Sequence, residues 1–216
     1  MIETVIDLLP IIALSLAVSL SATCLATLVG ISLAAALTLL EFRGRGAAIV
    51  AINALLGLPP VVAGLALYLL LSRSGPLGKL GLLFTPIAMV LAQAILATPI
   101  IAALAQRVLE RNWAEFQGPL QVFGATRLRA LPTLLALSRR SIATAVLAGF
   151  GRTISEVGAV LIVGGNIAGH TRTMTTSITL QTSMGNLGVA MALGFILIGI
   201  SLSVSAGVIL LGGDRR

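Results

Sequence analysis

The sequence predicts an all-α membrane protein with about five transmembrane helices. Hydrophobic residues make up 57% of the 216 residues and charged residues 10%, whereas a soluble domain carries about 25% charged residues. The mean hydropathy is +1.09. Uncharged apolar runs reach the roughly 20 residues that a membrane-crossing helix needs. They are too long for the alternating segments, about 10 residues each, of a transmembrane β-barrel.

Five apolar runs define the expected spans of one transmembrane domain, residues 8–211. The runs cover about residues 8–40, 47–71, 80–105, 141–163 and 187–211. The first would be about 50 Å long as a helix, so it must tilt or project from the membrane. Helix breaks are expected at four prolines that fall at span depth: Pro59, Pro60, Pro86 and Pro99. Such breaks are tolerated where the backbone is buried in protein or lines a cavity.

The basic residues predict the orientation of the spans. With five spans, ten arginines share one side of the membrane: Arg43, Arg45, Arg107, Arg111, Arg127, Arg129, Arg139, Arg140, Arg215 and Arg216. Arg73, Lys79 and Arg172 fall on the other side. Loops rich in Lys and Arg stay in the cytoplasm, so we expect the N-terminus outside and the C-terminus inside.

The longest non-membrane segment, residues 106–140, is expected on the cytoplasmic side. Its apolar positions Leu120, Phe123, Leu128 and Leu131 fit helical spacing, which predicts one or two short amphipathic helices at the membrane face. Two uses remain open for such helices. They could anchor the chain to the lipid surface, or they could dock a cytoplasmic partner.

Known catalytic and metal-binding patterns are not found in the sequence. His170 is the one histidine and has no acid nearby, as a Ser-His-Asp triad requires. Lys79 is the one lysine and is followed by Leu80, not by the Ser or Thr of a phosphate-binding loop. One His and one Cys do not suggest a His/Cys metal site. The net charge of +7 is read as membrane topology rather than as a nucleic-acid footprint.

Arg152 and Glu156 are the strongest anomaly in the sequence, because they fall within the expected fourth span. Each intramembrane charge costs at least ~2.5–3.5 kcal/mol on insertion scales. Their four-residue spacing would place them on one helix face, where they can pair. The pair could simply neutralise itself, or it could belong to a transport pathway or gate inside the bundle. We favour the second interpretation.

The expected external segment, residues 164–188, is rich in hydroxyls. Asn166 is a turn-forming residue, and Thr171 and Arg172 begin a Thr-rich run. Hydroxyls, backbone N–H groups and one cation can bind an oxyanion without a metal. A polar surface loop is the plainer alternative. Since five kinked spans make a thin bundle, a complete pathway is expected to need a second copy.

A short motif in the segment 106–140 resembles the coupling loop of bacterial ATP-binding-cassette (ABC) importer permeases. Gly124, Ala125, Thr126 and Arg127 match its glycine-centred part. The Glu-Ala-Ala of that motif would fall at residues 118–120, which are Gly-Pro-Leu here. The resemblance implies that these four residues insert into a groove on an ATPase subunit.

A longer resemblance covers nearly the whole chain. Residues 149–159 (GFGRTISEVGA) and 163–167 (VGGNI) resemble the oxyanion importer permeases for molybdate, tungstate and sulfate. Residues 169–176 (GHTRTMTT), 57–64 (GLPPVVAG) and 71–78 (LSRSGPLG) are most similar to the tungstate branch of that family.

The resemblance implies a type I ABC importer transmembrane domain, used as a homodimer in the bacterial inner membrane. It further implies two cytoplasmic ATPase subunits, which carry ATP and Mg²⁺, and an external oxyanion-binding protein. This chain would then bind no cofactor and hydrolyse no ATP. Tungstate is the expected cargo, with molybdate or sulfate as alternatives. A passive anion channel and a membrane scaffold subunit remain as competing interpretations of the same helices.

Overall fold

A computed structural model describes residues 2–122 and 125–212, and all regular structure in those ranges is helical. Eight α-helices follow one another: α1 (Ile2–Leu39), α2 (Arg45–Leu55), α3 (Pro60–Leu71), α4 (Pro86–Val122), α5 (Leu131–Ile154), α6 (Gly158–Gly164), α7 (Met174–Ser183) and α8 (Leu187–Gly212). A single 3-10 turn, Gly78–Leu80, interrupts the connection between α3 and α4. The predicted all-α class is confirmed.

Four helices, α1, α4, α5 and α8, are long and apolar enough to cross a membrane. A fifth crossing is possible if α2 and α3 count together as one broken span, since the two helices are bent by 105°. The bend lies at Pro59 and Pro60, where the sequence predicted a break. Pro60 begins α3, a position that needs no backbone N–H, and Pro59 is extended. The predicted number of about five spans agrees with this arrangement.

The third predicted span, residues 80–105, has different bounds in the structure. Its helix α4 begins at Pro86 and continues to Val122. Pro86 does not break a helix but starts one, because proline is favoured in a first turn. Pro99 does not break α4 either. It is buried in the bundle, where packed neighbouring helices compensate for the missing backbone hydrogen bond.

The fourth predicted span, residues 141–163, is not one helix. Helix α5 begins ten residues earlier, at Leu131, and ends at Ile154. The chain turns through Ser155–Val157 before the short helix α6. A local contact stabilises the turn, because the Glu156 side chain accepts a hydrogen bond from the first turn of α6, at Ala159 N (3.0 Å). A helix that ran straight on would have no such free N–H.

The predicted surface helices in residues 106–140 are also wrong in their described part. The segment consists of the last turns of α4 and the first turns of α5, with a turn at residues 125–130. Good helix formers such as Gln106, Arg107 and Glu110 let α4 continue beyond the apolar run. Leu109 and Trp113 of α4 pack with Leu134 of α5, so the extension is stabilised by tertiary contacts.

Small residues allow the spans to pack closely, as is usual in membranes. Ile101 of α4 is fully buried between two glycines. A Cβ on Gly30 of α1 would lie 3.1 Å from the Ile101 side chain, and one on Gly149 of α5 would lie 2.6 Å from it. Helix α1 therefore packs on α4, and α4 on α5. Helix α8 lies at the periphery and exposes large apolar side chains such as Met191 and Phe195.

Side-chain contacts hold three arginines at one end of the bundle. Arg45 pairs with Glu110, Arg107 bonds to Asn53, and Arg127 pairs with Glu41. We call this the basic end. The opposite end contains the connection from α3 to α4 and the loop between α6 and α7. Phe84 N in the first connection donates to Val163 O in the last turn of α6 (2.9 Å). Arg73, Lys79 and Arg172 lie in these two connections.

Candidate functional site

The Arg152–Glu156 pair forms, but the two residues do not share a helix. Arg152 lies in the last turn of α5 and Glu156 in the turn that follows it. Arg152 Nη1 is 2.7 Å from Glu156 Oε2. The Glu156 side chain is 2% exposed, whereas that of Arg152 is 30% exposed. The carboxylate is therefore fixed inside the bundle, and the guanidinium reaches from it to the surface of this single copy.

Glu156 joins the two short helices that follow it. Its Oε1 accepts a hydrogen bond from Ala159 N, at the start of α6. Its backbone carbonyl accepts one from Thr175 Oγ1 of α7 (2.8 Å). Helix α7 starts with a capping box, in which the side chains of Thr173 and Thr176 each accept a hydrogen bond from the other residue's backbone N–H. Buried hydroxyls thus supply the partners that a buried carbonyl requires.

The other predicted pathway residues form a second cluster at the far end of α6. Asn166 has a left-handed backbone (φ 50°). Thr171 Oγ1 accepts a hydrogen bond from Ile167 N (3.0 Å) and donates one to Gly164 O. Arg172 Nη2 lies 3.5 Å from Asn166 O. The seven residues of α6 separate this cluster from the Arg152–Glu156 pair, so the structure places the five predicted residues in two groups.

A row of hydroxyls on α1 is part of the same buried region, and the prediction of site residues missed it. The row consists of Ser15, Ser19, Thr23 and Thr27. Thr23 Oγ1 lies 3.0 Å from Thr153 Oγ1 of α5, and Ser15 Oγ accepts a hydrogen bond from Met174 N (2.7 Å). The four-residue spacing inside an apolar run was a visible signal, because residues i and i+4 share a helix face.

At the basic end, Gly124 lies outside the described residues, while Ala125, Thr126 and Arg127 lie in or beside the turn. Ala125 N donates to Leu120 O (2.9 Å), and Thr126 Oγ1 accepts from Arg129 N. The Arg127 guanidinium pairs with Glu41 and stands 5.8 Å from the centre of the Trp113 ring. Arg127 therefore ties the turn to α4 and to the end of α1.

Apolar side chains beside this turn are exposed. Val122 is 86% exposed and Leu128 is 64% exposed. The two residues flank the predicted coupling motif, residues 124–127. Apolar side chains that are exposed on either side of this motif are candidates for contact with another protein.

The described residues contain no group of three or more His, Cys, Asp or Glu side chains that could hold a metal ion. The chemistry available at the Arg152–Glu156 pair is that of a guanidinium, a carboxylate and hydroxyls. Such a set can bind or screen a charged solute by hydrogen bonds and charge.

Comparison with known proteins finds permease proteins of transport systems, although no family model matches the chain. The chain is 40% identical to the probable anion ABC transporter permease protein of Haloferax volcanii over 204 residues, 92% of this chain and 88% of that protein. It is 39% identical to the tungstate uptake system permease protein of Peptoclostridium acidaminophilum over 196 residues, 91% and 86% of the two chains. Identity to the molybdenum transport system permease protein of Azotobacter vinelandii is 33% over 180 residues, 77% of each chain.

Proposed function

The chain belongs to the family of oxyanion ABC importer permeases, and on this premise we propose that its cargo is tungstate, with molybdate next. It is a multi-pass membrane protein and a transport subunit. In the proposed complex, two copies sit in the bacterial inner membrane, N-terminus outside. Two cytoplasmic ATPase subunits bind ATP and Mg²⁺, and an external binding protein delivers the anion.

The Arg152–Glu156 pair is the observation that carries the proposal. A cation at membrane depth attracts a dianion, but an unscreened one would hold it too tightly, and transport requires that bound ions also leave. Glu156 neutralises most of that attraction. We therefore assign Arg152 to the wall of the pathway and Glu156 to the screening of Arg152.

The exposure of Arg152 supports a second copy. A charged side chain in a span faces the bundle interior or a water-filled cavity, because exposure to lipid is costly. Arg152 is 30% exposed at the surface of one copy. A second copy that covers this surface would turn it into the interior of a dimer, with one Arg152 from each side.

The turn at the basic end is the proposed contact with the ATPase. Gly124, Ala125, Thr126 and Arg127 carry the coupling motif, and Val122 and Leu128 offer apolar area on either side. Since Arg127 is already paired with Glu41, we assign it to positioning the turn. The direct contact then falls to the exposed apolar residues.

Anion-stimulated ATP hydrolysis tests the proposed cargo. The permease, its ATPase and its binding protein are reconstituted in vesicles, and ATP hydrolysis is measured with tungstate, molybdate and sulfate at equal concentrations. We expect stimulation in that order. Stimulation by a cation or an amino acid, with none by tungstate, contradicts the proposal. An ATPase that does not copurify with the permease would favour a passive channel.

Leu128→Asp tests the proposed ATPase contact. Leu128 is exposed, so a charge there should leave the fold intact while it weakens docking to the ATPase. The matched control is Leu77→Asp, a similar change at an exposed leucine in the connection from α3 to α4. We expect copurified ATPase to fall at least severalfold in Leu128→Asp and to stay at the wild-type level in the control. Equal recovery in both variants would place the contact elsewhere.

A further inference from the structure

A small cleft at the opposite end of the bundle has the features of an anion site. It has a volume of about 320 Å³. Pro10, Ile11 and Leu14 of α1 form one wall, and the loop between α6 and α7 forms the other. The loop contributes His170 and Arg172, and the lining residues whose side chains the structure describes include no acid.

Arg172 has unused donor capacity in this cleft. Its Nε is buried and has no hydrogen-bond partner among the described residues. Its Nη2 has one long contact, 3.5 Å to Asn166 O. A buried guanidinium N–H without a partner is costly. The planar guanidinium fits an oxyanion well, because it can donate two parallel hydrogen bonds.

The cleft lies against the hydrogen-bonded segment that leads to the Arg152–Glu156 pair. Ser15, which follows the wall residue Leu14, accepts from Met174 N at the start of α7. The next residue, Thr175, donates to Glu156 O. The wall residue Leu14 is thus linked to Glu156 through Ser15, Met174 and Thr175.

We propose that this cleft binds a tetrahedral oxyanion through Arg172, as an entry site separate from the Arg152–Glu156 pair. The apolar wall of α1 lowers the local dielectric and strengthens the charge interaction. The identity of the free anion, tungstate, rests on the proposed function. The same chemistry is present in a phospholipid phosphate, so the experiment must separate the two sources.

Equilibrium dialysis of tungstate against the permease–ATPase complex in nanodiscs, without binding protein, tests the site. We expect saturable binding by the wild type and at least tenfold weaker binding in Arg172→Gln. The matched control is Arg73→Gln, since Arg73 lines a different cavity in the connection from α3 to α4. That control should bind as the wild type does.

A second variant keeps the proposal testable if Arg172→Gln does not fold. Ala168→Trp keeps Arg172 but fills the cleft from an exposed position that lines it. Tungstate binding should be lost in this variant too. Binding that survives in both Arg172→Gln and Ala168→Trp would overturn the proposal.

Native mass spectrometry separates the two sources of the anion. A phospholipid that the wild type retains and Arg172→Gln loses, without tungstate binding, would assign the site to a lipid phosphate. If neither tungstate nor a phospholipid binds at Arg172, the proposed site is overturned. Oxyanion-stimulated ATP hydrolysis in the wild type would then still support the proposed function, so the two failures are distinguishable.

Discussion

The two ends of the bundle use charge in opposite ways. The basic end pairs Arg45 with Glu110 and Arg127 with Glu41, and all four side chains are at least 33% exposed. Toward the opposite end, Glu156 is 2% exposed and its partners are arranged around it. Exposed pairs contribute about 0–1 kcal/mol, whereas breaking a buried pair costs about 3–5 kcal/mol. The loss of a single charge should therefore be costly near Glu156 and nearly neutral at the basic end.

Breaking the Arg152–Glu156 pair should have the largest effect. Arg152→Leu leaves a buried carboxylate without its cation, so we expect the free energy of unfolding to fall by about 3–5 kcal/mol and the yield of folded complex to fall sharply. Glu156→Leu leaves a partly exposed guanidinium and should cost less. The yield in detergent and the midpoint temperature of thermal unfolding measure the effect of each substitution.

The double variant separates structure from transport. Arg152→Leu with Glu156→Leu removes both charges and should recover yield relative to Arg152→Leu. We expect it to remain defective in tungstate uptake, because the pathway cation is gone. An ordinary uptake rate would show that the pair is merely structural.

Gly64→Ala should have the next largest effect, in the same half of the molecule. A Cβ on Gly64 of α3 would lie 2.7 Å from the backbone Cα of Ala159 in α6, so the helices must move apart. Overpacking of this kind costs about 1–3 kcal/mol. The control is Gly194→Ala, where no atom lies within 4 Å of the new Cβ. The midpoint temperature of thermal unfolding should drop in Gly64→Ala only. Equal midpoints in the two variants would refute the close contact.

The hydroxyl contact between α1 and α5 should have a smaller effect. Thr23→Val and Thr153→Val, alone and together, form a double-mutant cycle for the 3.0 Å contact of their Oγ1 atoms. Hydrogen bonds between membrane helices average about 0.6 kcal/mol in such cycles. We expect a coupling energy of that size from unfolding measurements. A value of zero would mean that the two hydroxyls do not stabilise each other.

The exposed pair at the basic end should have the smallest effect on stability. Arg127→Gln and Glu41→Gln are each expected to change the free energy of unfolding by less than ~1 kcal/mol. Both should reduce substrate-stimulated ATP hydrolysis, because both release the turn beside the ATPase. A similar reduction in each single variant and in the double variant would support the positioning role. Wild-type coupling in all three would leave the ion pair without a role in transport.

Much of the fold could be predicted, because apolar runs report directly on helices in lipid. The break at Pro59 and Pro60 was also predictable, since proline acts on the local backbone. Pro86 and Pro99 were misinterpreted, because the effect of a proline depends on its position in the helix and on its neighbours. The ends of α4 and α5 were missed for a related reason: Leu109, Trp113 and Leu134 stabilise each other across two helices.

The sequence by itself determined the helical membrane class, because long apolar runs form helices in lipid. It also predicted that Arg152 and Glu156 pair, because an unpaired charge at membrane depth is costly, although the single helix on which they were expected does not form. Tertiary structure alone decided that α5 ends before Glu156 and that the hydroxyls of α1 and α7 are buried. Those features depend on contacts such as Ser15 with Met174, 159 residues apart in the chain. A local pattern shows that a hydroxyl is present. Which backbone group it satisfies is set when distant helices meet.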